Sequence, residues 1–510
     1  MTTGEKIARA AGAVVIMNLF SRLLGFGREM AIADRFGASE AVDAYLVAYT
    51  IPYFLQAILG AALVTAAVPV FTKYIVDDNR EEAWKVASIL INITGVLLIA
   101  FTLVGILGST QLVKLMAPGF NPETTALASH MTKIMFPAVI FMGVGMLLTG
   151  ILNAFHYFAL PAFAPGFSNL VIIATVVLLG AQYGIEGLAV GTLVSMLGFL
   201  IIQYPLLRKL NFKYTFSFDY KHPAVKKVGY TIMPIVIGVA VNQVYFAINR
   251  IFASGLVEGS ISALNYSQRL MQLPLGIFVV AVSTAIFPAL AAQAIKNQRF
   301  ELGQTLIRGL RLVTLVSIPA AVGLIVLAEP TVKLLFERGA FDHRATVMTA
   351  QALIFYSIGM FAQGANLVIT RAYYALDDVK TPVIMSLISV AVNIALSFAL
   401  IGSMAHAGLA LANSVAATVN TVLLYLYLRK HLEAIPHKRL ALSFAKVSLA
   451  SAIMAYLTIK AFEIIPGHLV LQVGGAIGVG VAVFGGTVLL LKEEEVLRIV
   501  EQIKNKILPK

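Results

Sequence analysis

Long runs of apolar residues recur from one end of the sequence to the other, and they constrain the fold more than any motif does. A helix that crosses a membrane needs about 20 such residues, because each residue adds 1.5 Å and the hydrocarbon layer is about 30 Å thick. Only 12% of the 510 residues are charged and 59% are hydrophobic. Since about a quarter of the residues in a soluble domain are charged, the sequence predicts an all-α polytopic membrane protein.

Fourteen apolar runs predict fourteen transmembrane helices. They lie near residues 9–33, 41–73, 85–108, 127–153, 160–182, 187–207, 226–252, 260–290, 305–327, 346–372, 381–403, 407–429, 441–463 and 468–491. Lysine and arginine concentrate in the connections after even-numbered runs, most clearly in residues 208–227. Because basic loops stay in the cytoplasm, these connections and both termini are predicted to be cytoplasmic.

A weak internal duplication relates two parts of the chain. The segment LVKLMAPGF (112–120) resembles TVKLLFERGAF (331–341), and ILNAFHYFALPAF (151–163) resembles ITRAYYALDDVKTPV (369–383). The offsets are nearly equal, and an even number of spans separates the copies. This predicts two six-helix bundles related by a pseudo-two-fold axis along the membrane normal, as in transporters that alternate access to a central site.

The duplication defines four predicted regions. They are an N-terminal six-helix lobe at 1–215, a C-terminal six-helix lobe at 222–431, transmembrane helices 13 and 14 at 440–491, and a cytoplasmic tail at 492–510. The tail has an apolar stripe at helical spacing with charges opposite, so it is predicted to lie on the inner membrane face.

A few ionisable residues fall inside or at the ends of the predicted spans: Arg22, Arg28, Glu29, Asp43, Arg250 and Arg269. A charge that faces lipid costs about 2.5–3.5 kcal/mol or more. Arg22 and Arg269 lie deepest and are predicted to face a wet cavity, whereas the others could also reach the headgroups. Because arginine forks match phosphate oxygens, a cationic cavity favours an anionic, phosphate-bearing ligand.

No residue pattern suggests catalysis. The sequence has no cysteine, no GxxxxGK[ST] and no HExxH, which argues against thiol chemistry, an ATP motor in this chain and a zinc peptidase. We predict that the chain is not an enzyme and has no catalytic residue, cofactor or metal site. The formal net charge of +13 is attributed to cytoplasmic loops and not to nucleic-acid binding.

Several motifs, taken in order, resemble a known family. They are SRLLGFGRE (21–29), FGASEAVDAYLVAYTIP (36–52), APGF (117–120), INRIFAS (248–254), YSQRLMQLPLGIF (266–278) and DDVKTP (377–382). This set is similar to the MurJ (MviN) family of lipid II flippases, in the multidrug/oligosaccharidyl-lipid/polysaccharide exporter superfamily. The resemblance implies alternating-access transport of an undecaprenyl-diphosphate peptidoglycan precursor from the cytoplasmic to the outer leaflet.

The resemblance also implies which residues bind the substrate and where the sequence departs from the family. The implied set is Arg22, Arg28, Arg269, Asp43, Gln56, Asn249 and Arg250. Many members carry an arginine pair where this chain has Gln56 and Ala57, so one cavity cation is missing. A sodium site is unsupported, because the corresponding polar positions, Asn249, Asn393, Ser397 and Asn413, include no carboxylate.

Partners and location follow from the same resemblance. We expect a monomer in the bacterial cytoplasmic (inner) membrane that contacts lipid II, membrane lipids and cell-wall synthesis proteins, with no nucleic-acid partner. Three alternatives stay open. They are a flippase for another polyprenyl-diphosphate oligosaccharide, a multidrug exporter of the same superfamily, and a non-transporting scaffold for cell-wall enzymes.

Overall fold

The computed structural model describes residues 3–432 and 437–507, and every regular element in those ranges is helical. The first nine helices are α1 (Thr3–Phe36), α2 (Glu40–Val76), α3 (Arg80–Leu107), α4 (Ser109–Met116), α5 (Pro122–Met135), α6 (Ala138–Ala154), α7 (Ala159–Ile201), α8 (Tyr204–Lys209) and α9 (Pro223–Ser254). The others are α10 (Ser260–Pro274), a π-helical turn (Leu275–Val279), α11 (Val280–Ile295), α12 (Arg299–Val326), α13 (Ala328–Phe336), α14 (His343–Ile358), α15 (Met360–Ala375), α16 (Lys380–His431), α17 (His437–Ile464), α18 (Leu469–Leu490) and α19 (Glu494–Ile507). The predicted all-α class is confirmed.

The chain divides into two compact units. Unit 1 is Met1–Ser262 with Arg338–Phe341, and unit 2 is Ala263–Glu337 with Asp342–Lys510. In unit 1, α1 packs on α7, while α2 packs on α6 and α9. In unit 2, α12 packs on α15 and α17, and α17 packs on α18. The predicted lobes, helix pair and tail stay a prediction about the arrangement in the membrane.

Helix α7 consists of two antiparallel halves. It has 43 residues, and a straight helix of that length would measure about 65 Å, twice the hydrocarbon thickness. Gly184 breaks it at φ 54° and ψ −145°. The Ser168 hydroxyl donates to the Ser195 carbonyl at 2.9 Å, so the halves lie side by side. The break falls between the predicted spans 160–182 and 187–207.

Helix α16 is built in the same way. Its 52 residues break at Ala405, with φ 49° and ψ −130°. The Ser389 hydroxyl donates to the Ala416 carbonyl at 2.8 Å, which brings the two halves together. The break falls between the predicted spans 381–403 and 407–429.

The number of membrane crossings stays a prediction. Within the described ranges, seven helices are long and apolar enough to cross a membrane, and two bent helix pairs raise the number to nine. In these numbers each of α7 and α16 counts as one helix, although each is a hairpin of two halves. Large apolar side chains lie outside the packed core, such as Leu107 at 83% exposure and Leu490 at 84%. Such outward apolar surfaces are typical of helices that face lipid.

Candidate substrate-binding site

Arg28 and Glu29 form a buried ion pair on α1. Their side chains are only 12% and 3% exposed, and Arg28 Nη2 contacts Glu29 Oε1. Arg28 Nη1 also donates to Asn169 Oδ1 of α7 at 3.2 Å. A charge buried in an apolar protein needs such partners. Glu29, whose role the sequence left open, is therefore a partner of Arg28.

Small residues bring α1 against the first half of α7. A Cβ atom on Gly25 would lie 3.2 Å from Asn169 Nδ2, and one on Gly166 would lie 2.7 Å from the Ser21 hydroxyl. The Asn169 amide also donates to the Ser21 carbonyl at 3.3 Å. Gly25 therefore serves the close packing that holds Asn169 beside Arg28.

Arg22 has different surroundings from Arg28. It precedes Arg28 by six residues, which is about 9 Å along a helix and about 120° around it. The Arg22 side chain is exposed, whereas the Arg28 side chain is largely buried between α1 and α7. Of these two guanidinium groups on α1, that of Arg22 is therefore accessible and that of Arg28 is held by its partners.

A ladder of tyrosines on α2 borders Arg28. Tyr45, Tyr49 and Tyr53 stack in sequence, with ring centroids 6.0 Å and 5.6 Å apart. Tyr45 and Tyr49 are near neighbours of Arg28, and the Tyr45 hydroxyl is 2.9 Å from the Thr192 hydroxyl. The sequence reasoning missed this ladder, although its spacing of four residues on one helix face was a visible signal.

Asp43 is bound to backbone donors. Its carboxylate accepts the Gly259 N–H at 2.9 Å and the Ser262 N–H at 2.7 Å, and it also accepts the Ser262 hydroxyl. Arg250 Nη1 donates to the Ile261 carbonyl at 3.3 Å, so both charged groups act on the same short segment. A carboxylate that accepts backbone N–H groups in this way caps a helix start.

The remaining predicted residues are placed as follows. Asn249 lies half-buried in α9, and Arg269 is exposed on α10 within unit 2. The side chain of Gln56 lies outside the described part of the structure. Unit 1 thus contains Arg22, Arg28, Asp43, Asn249 and Arg250, and unit 2 contains Arg269. The structure brings Arg28 together with Glu29 and Asn169, and Asp43 together with the segment that Arg250 also contacts.

The arrangement of helices matches the fold of MATE-type membrane transporters. An inward-facing multidrug resistance MATE family transporter of the MOP superfamily superposes with a TM-score of 0.69 at 13% identity, covering 81% of this chain and 94% of that one. A structure of lipid II flippase MurJ in an inward closed conformation superposes with a TM-score of 0.81 at 27% identity, covering 95% and 99%.

Sequence comparisons identify the family. The family model described as lipid II flippase MurJ matches residues 32–475. A probable lipid II flippase MurJ of Buchnera aphidicola is 34% identical over 82% of this chain and 83% of its own length. Its counterpart in Vibrio cholerae is 32% identical over 96% and 97%. The chain therefore belongs to the MurJ family.

Proposed function

We propose that this protein is a lipid II flippase, which moves undecaprenyl-diphosphate-linked peptidoglycan precursor from the cytoplasmic to the outer leaflet by alternating access. Family membership supports the substrate. The observation that carries the site is Arg28, a buried guanidinium held by Glu29 and by Asn169. A guanidinium held in place before the ligand arrives binds a diphosphate with little loss of conformational entropy.

The ion pair explains how such a site can release its ligand. Arg28 is neutralised by Glu29 when no anion is bound, so the buried charge is not left unpaired. A diphosphate competes with the Glu29 carboxylate for the same guanidinium donors. Binding is then strong enough to select a phosphate and weak enough to permit transport.

The other residues of the predicted set have distinct roles in this proposal. Arg22 and Arg269, which are both exposed, are proposed as further cations for the anionic substrate. Gln56 and Asn249 stay predicted substrate contacts. Asp43 and Arg250 position the segment at Gly259–Ser262, which they both contact.

The cellular setting belongs to the same proposal. We infer a monomer in the bacterial cytoplasmic membrane, with both termini in the cytoplasm and cell-wall synthesis proteins as neighbours. The protein performs transport and no bond-making reaction. A groove for the polyprenyl tail involves α17 and α18, which pack on each other in unit 2.

Binding of purified protein to lipid II tests the site. Arg28→Ala is expected to weaken binding by about tenfold or more, since a hydrogen bond to a charged group contributes about 1.5–3 kcal/mol. Lys73→Ala, which removes an exposed cation at the end of α2, is the matched control and should bind as the parent does. Equal affinity of Arg28→Ala and the parent would refute the assignment.

A comparison of binding to lipid II and to undecaprenyl diphosphate that carries another glycan distinguishes the proposal from its main alternative. A flippase for a different polyprenyl-linked oligosaccharide would bind that lipid more tightly than lipid II. Cation-coupled dye efflux would instead support a multidrug exporter.

A further inference from the structure

The segment between α8 and α9 has an unusual pattern. Residues 212–220 read FKYTFSFDY, with an aromatic residue at every second position. The segment is not helical, and alternate residues of an extended chain point to the same side. We call residues 212–220 the aromatic loop. The flippase proposal gives it no role.

The aromatic loop runs along α3 and returns. Phe212 meets Trp84 edge-on, with ring centroids 5.3 Å apart. Further along, the Thr215 N–H donates to the Ser88 hydroxyl at 3.0 Å. The Asn92 amide donates to the Ser217 carbonyl at 2.9 Å. From Trp84 to Asn92 the loop therefore advances eight residues of α3, which is about 12 Å.

The other end of the aromatic loop is tied near the start of α3. His222 Nε2 lies 3.0 Å from Glu82 Oε1, and Glu82 precedes Ser88 by six residues, which is nearly two helical turns. The chain thus enters beside Trp84, reaches its tip at Ser217 and leaves beside Glu82. Because Ser88 and Asn92 satisfy backbone groups of the tip, the loop can leave water at a reduced desolvation cost.

The tip presents bare aromatic rings. Phe216 is 78% exposed, Tyr220 67% and Tyr214 53%. The Tyr214 hydroxyl donates to Asn92 Oδ1 at 2.6 Å, so its polar end is satisfied while its ring stays outside. Phe216 and Phe218 meet edge-on at 5.1 Å. Aromatic rings in such a position are typical of the boundary between headgroups and acyl chains.

A basic collar surrounds the ends of the loop. Arg208, Lys209, Lys213 and Lys221 lie within or next to it, Lys226 and Lys227 follow in the first turns of α9, and Asp219 is the one acid among residues 208–227. The Lys221 ammonium lies 5.9 Å from the Tyr220 ring centre. Basic groups next to interfacial aromatics attract anionic lipid.

We propose that the aromatic loop inserts into the inner membrane interface and that its basic collar binds the phosphate headgroups of anionic phospholipids. Asn92 is seven residues inside the predicted third span, about 10 Å along the helix. That depth matches the 5–10 Å to which interfacial segments sink. The proposal is independent of lipid II, because its ligand is bulk phospholipid.

The only tryptophan of the chain, Trp84, makes a site-specific optical test available. In a Trp84→Phe background, Phe216→Trp places a single reporter at the tip. The protein is reconstituted in phosphatidylcholine vesicles that contain brominated phosphatidylcholine or brominated phosphatidylglycerol. We expect both bromolipids to quench the reporter, and the anionic one to quench it at severalfold lower mole fraction. Added salt should reduce that preference.

Two controls keep the test decisive. Lys213→Gln with Lys221→Gln should abolish the anionic preference and leave quenching by brominated phosphatidylcholine intact, because the rings stay inserted. The two lysine substitutions made in the parent chain, where Trp84 is buried at the base, report through Trp84 fluorescence whether the fold of the variant survives. Quenching of the tip by iodide in water and not by bromolipids would overturn the insertion. Equal quenching by the two bromolipids would overturn the headgroup site.

Discussion

Two buried arginines, Arg28 in unit 1 and Arg311 in unit 2, have contrasting surroundings. Among the described residues, Arg28 contacts one carboxylate, Glu29, and one neutral amide, Asn169. Arg311 contacts three carboxylates, those of Glu493, Glu494 and Glu495, at 2.8, 2.9 and 3.3 Å. Three carboxylates more than balance the charge of Arg311, whereas in our proposal Arg28 exchanges its one acidic partner, Glu29, for a phosphate. We therefore propose that charge balance distinguishes a ligand-binding arginine from a structural one.

The Arg311 cluster anchors the start of the tail. Glu493 also accepts the Ser443 hydroxyl of α17 at 2.8 Å, and Arg308 Nε contacts Glu495 Oε2 at 3.2 Å. The cluster therefore joins α12, α17 and the beginning of α19 within unit 2. Residues Glu494–Ile507 of the tail form α19, and the position of the tail on the inner membrane face stays a prediction.

Replacing each of the two arginines by lysine tests the contrast between them most strongly. Arg28→Lys keeps a positive charge beside Glu29 but loses the planar fork. We expect lipid II export to fall at least tenfold, by loss of a charge-assisted hydrogen bond of about 1.5–3 kcal/mol, with the unfolding temperature nearly unchanged. Arg311→Lys should lower the unfolding temperature and leave export per folded molecule nearly unchanged. Export per folded molecule and thermal unfolding in detergent measure the two effects, and a matching pattern in both variants would contradict the contrast.

Removal of the second arginine tests its structural role. Arg311→Ala leaves Glu493 and Glu495 buried without their cation, and such a loss costs about 3–5 kcal/mol of folding free energy. Arg308→Ala is the matched control, because Arg308 is 50% exposed and an exposed pair contributes about 1 kcal/mol or less. Denaturant unfolding in mixed micelles measures both. Similar losses in the two variants would remove the distinction between them.

Substitution of Asp43 tests whether this predicted binding residue contacts the substrate, as proposed for Arg28, or stabilises the fold, as expected for Arg311. Asp43→Asn leaves one backbone donor of Gly259 or Ser262 poorly satisfied, which costs about 1–3 kcal/mol. We expect lower stability and an unchanged affinity of the folded protein for lipid II. Ser262→Ala removes only the hydroxyl donor and should cost about 1 kcal/mol. A loss of affinity at unchanged stability would make Asp43 a substrate ligand.

The smallest expected effect is a pH dependence of the Arg311 cluster. The hydrogen bond from the Arg311 guanidinium lowers the pKa of the Glu494 carboxyl below its usual range. A carboxyl with a lowered pKa stabilises the fold above its unfolded pKa of about 4.3, and that contribution is lost as the pH falls through the folded value. The unfolding temperature should therefore fall in acid, and Glu494→Gln should flatten that fall. An identical acid profile of the variant would contradict the assignment.

Several features of the fold and site could be predicted from the sequence, because they depend on local pattern. The breaks of α7 and α16 fall between runs of apolar residues that the sequence already separates. Arg22, Arg28 and Glu29 stand out because charge is costly among apolar neighbours. The tyrosine ladder was equally visible as residues four apart on α2.

Other features could not be predicted, because they depend on contacts between distant parts of the chain. Asn169 is 141 residues from Arg28, and only the packing of α1 on α7 brings them together. Nothing near Arg311 in the sequence reveals that the acids of residues 493–495 surround it. The same acids looked like the solvated face of an amphipathic tail, although Glu493 and Glu495 are buried.

The most direct test of the central claim is a measurement of lipid II exposed on the outer leaflet. Cells depleted of their own flippase are supplied with this chain, and lipid II accessible to an external enzyme is measured. The account predicts that the parent and Lys73→Ala restore exposed lipid II, whereas Arg28→Ala, at equal membrane levels, does not. Restoration by Arg28→Ala, or no exposed lipid II with the parent chain inserted normally, would contradict it.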